Sequence, residues 1–111
     1  MPKVKRKVLG EMNRTEAAYA VLLEARKRNG EIREYHYESL TVKLADGVRF
    51  TPDFYVILAD DTLELHEVKG GFIRDDARIK LRVAARHTPF AYVLAQYKNK
   101  ASGWTIERVN D

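Results

Sequence analysis

The stretch TPDFYVILADDTLELHEVKGG, Thr51 to Gly71, holds two apolar runs joined through Asp60-Asp61 and closed by Gly70-Gly71. DFYVILA and TLELHEVK read as an antiparallel strand pair, because so short a connection leaves two extended runs little alternative. Charges stand where a purely structural sheet would carry Val or Ile: Asp53 heads the first strand, and Glu67 and Lys69 close the second. Side chains alternate along a strand, so Glu67 and Lys69 share a face with Leu63 and Leu65, while Glu64, His66 and Val68 take the other. Pairing then brings Asp53 opposite the end of the second strand, and two carboxylates meet beside an ammonium. Like charges at ~4 Å repel by ~4 kcal/mol at an effective dielectric of about 20, a large part of a small domain's stability. A hard divalent cation such as Mg²⁺ offsets that repulsion, since it takes oxygen ligands and completes its shell with water or a phosphate.

Working upstream, NRTEAAYAVLLEARKRNG has the grammar of a helix: Asn13 as N-cap, Glu16 three residues on, good helix formers, basic residues near the end and Gly30 as a stop. IREYHYESLTVKL and VRF read as strands around breaks at Glu38-Ser39 and Asp46-Gly47, the latter a hairpin signal. Downstream, RDDARIKLRVAARH, Arg74 to His87, predicts a second helix that stops before Pro89. PFAYVLAQY and GWTIERV are the last strands, and the order becomes helix, three or four strands, helix, two strands. The fold class is α/β, with a mixed central sheet, one helix before the strand meander and one after it. Residues 1–12, with Lys3, Lys5, Arg6 and Lys7, read as a flexible basic arm, and residues 13–111 as one domain.

Composition narrows the chemistry. At 111 residues the chain has room for one core. The absence of cysteine excludes disulfides, thiolate zinc sites and cysteine nucleophiles, and the three histidines lack ligand spacing. No apolar run is long enough to span a bilayer, so a cytoplasmic protein with no membrane partner is expected. A net charge of +4 suits a polyanionic partner.

Pro52-Asp53 followed by Glu67-Val68-Lys69 reads as the PD-(D/E)XK signature, and the chain resembles that nuclease superfamily, whose restriction-endonuclease-like core is a helix, a three-stranded meander, a helix and a further strand. More narrowly, NRTEAAYA, TPDF and EVKGGFIRDDARIKLRVAA, within about residues 13 to 97, resemble small phage-encoded proteins assigned to this fold. The resemblance implies that Asp53, Glu67 and the Val68 carbonyl hold Mg²⁺ or Mn²⁺, that Lys69 positions or deprotonates the attacking water, and that Glu16 is an additional acid near the metal. It further implies a DNA endonuclease, in the host cytoplasm if phage-encoded, acting on branched DNA such as Holliday junctions and leaving a 5′-phosphate and a 3′-hydroxyl.

Each of these residues also has a structural reading. Pro52-Asp53 suits a turn, and Glu16 stands in the capping-box relation to Asn13. His66 points away from Glu67 and Lys69 and reads as a packing or surface residue, and Trp104 and Tyr97 read as sheet packing. Arg74, Arg78, Arg82 and Arg86 recur every fourth residue, with Lys80 to one side. With Lys5, Arg6 and Lys7 they are the candidate phosphate contacts, or else a solvated face. A non-catalytic nucleic-acid-binding protein on the same scaffold is the alternative function, and a protein-binding accessory factor a third. A homodimer is expected, because one site makes one nick and because the apolar content of PFAYVLAQY and GWTIERV could leave a face for a partner.

Overall fold

In a computed structural model the described residues are 11–71 and 75–109, and the side chain of Asp75 lies outside that description. The elements run α1 (Arg14–Arg28), β1 (Ile32–Tyr37), β2 (Val42–Ala45), β3 (Val48–Phe50), β4 (Phe54–Leu58), β5 (Leu63–Gly70), α2 (Asp75–His87), β6 (Ala91–Asn99) and β7 (Gly103–Val109). Strands β1-β4-β5-β6-β7 form one mixed sheet, and β2-β3 form a separate hairpin. The meander β1-β4-β5 is antiparallel, β5 and β6 are parallel, and β7 returns antiparallel to β6. A parallel pair needs a crossover, and α2 supplies it.

Five strands separate the helices rather than three or four. Glu38 takes φ +46, which ends β1 and turns the chain out of the sheet into the β2-β3 hairpin around Gly47 at φ +74. The chain re-enters at Phe54, so the hairpin is an insertion within the meander.

Each sheet face carries its own core. Tyr19 and Leu23 of α1 pack with Ile32, Phe54, Val56, Val68 and Ala95. On the other face Leu81 and Ala84 of α2 pack with Leu65, Tyr92, Leu94 and Val109, and the hairpin contributes Val42 and Phe50. Tyr92, Val93, Leu94 and Ala95 are all buried. The apolar surplus expected in 89–97 is therefore consumed within the chain, since β6 lies between two strands with a helix over each face. Trp104 and Tyr97 pack as read, Trp104 lying 5.0 Å from the Tyr19 ring and 5.4 Å from Tyr97.

The N-terminus of α1 is locked against the end of β5. Asn13 and Glu16 form a reciprocal capping box, and Thr15 approaches Gly70 so closely that a Cβ there would meet its Oγ1 at 3.1 Å. Glu11 and Met12, assigned by sequence to the arm, touch the domain, through the Glu11 carbonyl to Tyr37 and through Met12 against the α1 core. Residues 1–10, with Lys5, Arg6 and Lys7, and Arg74 lie outside the described residues. Among the described residues no helix is long and apolar enough to cross a membrane.

Candidate active site

The register of β4 on β5 runs Phe54↔His66, Tyr55↔Leu65, Val56↔Glu64. One step further, Asp53 stands opposite Glu67, as the alternation predicts. Asp53 is fastened there by the Val68 amide, whose N–H donates to Oδ2 at 2.8 Å. That bond fixes the carboxyl against β5. Glu67 and Lys69 are adjacent on their shared face, with Nζ 3.4 Å from Oε2.

Two further acids approach Asp53, and the cluster they form with it does not include Glu67. Glu16, only 4% exposed, is held from two sides: its Oε1 accepts from the Asn13 N–H at 2.9 Å and from the Tyr37 hydroxyl at 2.8 Å. Glu38 arrives from the end of β1, where its N–H donates to the Asp53 carbonyl at 2.9 Å. Ligand oxygens of Glu16, Glu38 and Asp53 lie within 4.8 Å of one another. Both Glu16 and Glu67 are within hydrogen-bonding reach of the Asp53 carboxyl.

Glu38 is the residue that sequence reasoning missed. It was seen only as a strand break, yet pairing of Tyr37 with Phe54 necessarily sets residue 38 opposite residue 53. The signal was the antiparallel register of β1 on β4, which is harder to read than that of β4 on β5 because the hairpin intervenes.

The electrostatics follow from crowding. Burial, then the charge of Glu67, push the Asp53 carboxyl up to about 8, and the opposing Val68 N–H recovers only part of the shift. Asp53 thus keeps a proton at neutral pH where an isolated aspartate would not. A proton shared among carboxylates marks a place where positive charge is favoured, and an all-oxygen donor set suits a hard divalent cation. The residues present fit Mg²⁺ or Mn²⁺.

The basic candidates divide. Arg78 donates to Glu107 on β7, from Nη2 to Oε1 at 3.1 Å, and Lys80 sits over the Phe50 ring at 4.6 Å. Both have structural employment, tying α2 to β7 and to the hairpin. Arg82 and Arg86 are exposed.

His66 is wholly buried on the α1 side. Its Nδ1 lies 2.6 Å from the Tyr19 hydroxyl and its Nε2 2.9 Å from Glu64 Oε1. Burial keeps the imidazole neutral, and the pattern fits the tautomer in which Nε2–H donates to Glu64 and Nδ1 accepts from Tyr19. Tyr19 is one turn beyond Glu16, and His66 precedes Glu67, so this bond ties the two site-bearing elements together. Comparison with protein-family models, curated proteins and solved structures returns no match for this chain.

Proposed function

We propose that the chain is a metal-dependent phosphodiesterase, a DNA endonuclease with a PD-(D/E)XK core that acts on branched DNA. The observation that carries this reading is the meeting of Asp53 and Glu67 across the β4-β5 pair, with Glu16 in reach of Asp53 and Lys69 3.4 Å from Glu67. The element order supports it: a helix, an antiparallel meander, a crossover helix and a strand parallel to the meander's last member is the core that the resemblance implies. Carboxylates alone would make a cation site. The lysine beside them adds what hydrolysis of a phosphodiester needs, a positive charge near the attacked phosphate.

In this reading Asp53, Glu67 and the Val68 carbonyl would hold Mg²⁺ or Mn²⁺, which would supply a lowered pKa for bound water and positive charge against the phosphate. Asp53 would have to be ionised to serve as a ligand. Lys69, held by Glu67 and half-exposed, orients the nucleophilic water and stabilises the developing negative charge. Glu16, fixed by Asn13 and Tyr37, accepts a hydrogen bond from a water of the site.

The test is incubation with Mg²⁺ or Mn²⁺ and single-stranded, duplex, flap and four-way-junction DNA. Cleavage that is lost in chelator and in Asp53→Asn and Glu67→Gln is expected, with the junction cut best. Metal-dependent binding of DNA without cleavage of any substrate would favour the non-catalytic alternative.

A further inference from the structure

The outer face of α2 has a pattern that neither the cores nor the candidate site explains. Its inner side is fully committed, with Leu81 and Ala84 buried and Ala77 and Ala85 packed beside them. On the opposite side Ile79 is 57% and Val83 44% exposed, and with Arg82, Arg86 and His87 they line a shallow groove. Asp76 and Arg86 are also exposed. Asp76, Ile79, Val83 and Arg86 are spaced three, four and three residues apart, the a/d spacing of a helix seam.

That order is self-complementary. When a second α2 is laid antiparallel about a twofold axis passing beside residue 81, Asp76 of each chain falls opposite Arg86 of the other, and Ile79 opposite Val83. Two mutual apolar contacts are then bracketed by two ion pairs, the isologous arrangement that a twofold dimer requires. The helix macrodipole alone would account for an acid in the first turn and a base in the last. It does not account for Ile79 and Val83 at the outward positions between them. The complementarity is one of charge at matched positions and does not depend on either side chain being unengaged within its own chain.

We infer that the outer face of α2, through Asp76, Ile79, Val83 and Arg86, is the homodimer interface, an antiparallel α2-α2 pair between two copies of this chain. The surface differs from the β6-β7 face expected from sequence. The small apolar patch makes the dimer concentration-dependent. Because each α2 runs antiparallel to its partner, the two β5 ends that precede the helices lie at opposite ends of the pair. They are separated along it by roughly the ~20 Å length of a 13-residue helix. The interface stands independently of any activity at the candidate site.

Sedimentation equilibrium of the full chain across micromolar concentrations tests it, with thermal melts reporting that each variant folds. Wild type is expected to dimerise. Asp76→Arg sets Arg against Arg and Arg86→Asp sets Asp against Asp, so each alone should weaken self-association at least tenfold. The double variant should restore it, and an equimolar mixture of the two single variants should form the heterodimer, where each new charge meets its opposite. Ile79→Glu, at an exposed position, should still melt cooperatively as a folded chain and abolish the dimer. The inference is overturned if wild type remains monomeric throughout. It is equally overturned if Ile79→Glu dimerises as wild type does, if the mixed single variants fail to associate, or if Ile106→Glu on β7 disperses the dimer while Ile79→Glu does not.

Discussion

Replacing Asp53 by Asn in the metal-free protein should stabilise it, by an amount that depends on pH. The folded protein holds the Asp53 proton up to about pH 8, whereas the unfolded chain releases it from about 3.8. Between these values the folded state binds more protons than the unfolded one, so stability falls as pH rises, and the penalty is complete only above about pH 8. At ~1.4 kcal/mol per pH unit the gap sets a ceiling of ~6 kcal/mol. The charge is shared with Glu16 and Glu67, which relax together, so a working figure is half of that, ~3 kcal/mol. For a domain of this size ~1 kcal/mol moves the midpoint by ~4 °C, giving a gain of ~12 °C. Asn keeps an oxygen for the Val68 N–H and offers its amide to the neighbouring carboxylates, so little is lost in exchange. The assay is thermal melting of both proteins in chelator from about pH 5 to pH 9. Asp53→Asn should melt ~12 °C above wild type at the alkaline end and show a clearly smaller gain at about pH 5. Adding Mg²⁺ should raise wild type and leave the variant unmoved. A gap of the same size at both ends of the range would refute a proton held by the carboxylate cluster.

Lys69→Ala should reduce cleavage by ~10²-fold or more while keeping the Mg²⁺-induced rise in melting temperature, measured by nicking assays beside melts. Glu38→Gln should weaken Mn²⁺ binding by about tenfold in electron paramagnetic resonance titrations, and unaltered binding would remove Glu38 from the site. Tyr19→Phe leaves the buried His66 Nδ1 without a donor and should cost ~1–3 kcal/mol, a fall of ~4–12 °C. Arg82→Ala should shallow the salt dependence of DNA binding by about one, whereas Arg78→Ala, whose guanidinium is on Glu107, should leave that slope alone and lower the melting temperature by up to ~4 °C.

What was legible in advance was what local rules decide. Asn13, Glu16 and Gly30 bracket α1 because capping and a positive φ are local requirements, and the capping box and the φ of +80 at Gly30 meet them. The pairing of β4 with β5 followed from a short loop, and with it the opposition of Asp53 and Glu67. Contacts set by chain segments distant in sequence were not legible. Glu38 reaches Asp53 only because β1 pairs across the hairpin insertion, and that left-handed backbone at a glutamate has no glycine to announce it. Nor does a repeat of arginines reveal that one of them pairs with Glu107, 29 residues away. The apolar strand 91–97 reads as surplus for an interface, yet it lies between β5 and β7 with Tyr92 to Ala95 buried, since burial on both faces and exposure to a partner leave the same mark on composition.

Glu16 has more partners than its place in the capping box requires. As the third residue of α1 it completes a capping box, and this alone would explain an acid at that position. A cap needs one oxygen, and the Asn13 N–H takes Oε1 at 2.9 Å. The Tyr37 hydroxyl donates to that same oxygen at 2.8 Å, which no cap requires. Tyr37 closes β1, beside Glu38, so the contact joins the helix start to the strand end at the level of Asp53. Two donors on one oxygen hold the buried carboxyl from the helix side and from the strand side. The capping box and the Tyr37 hydroxyl together thus position Glu16 within reach of the Asp53 carboxyl.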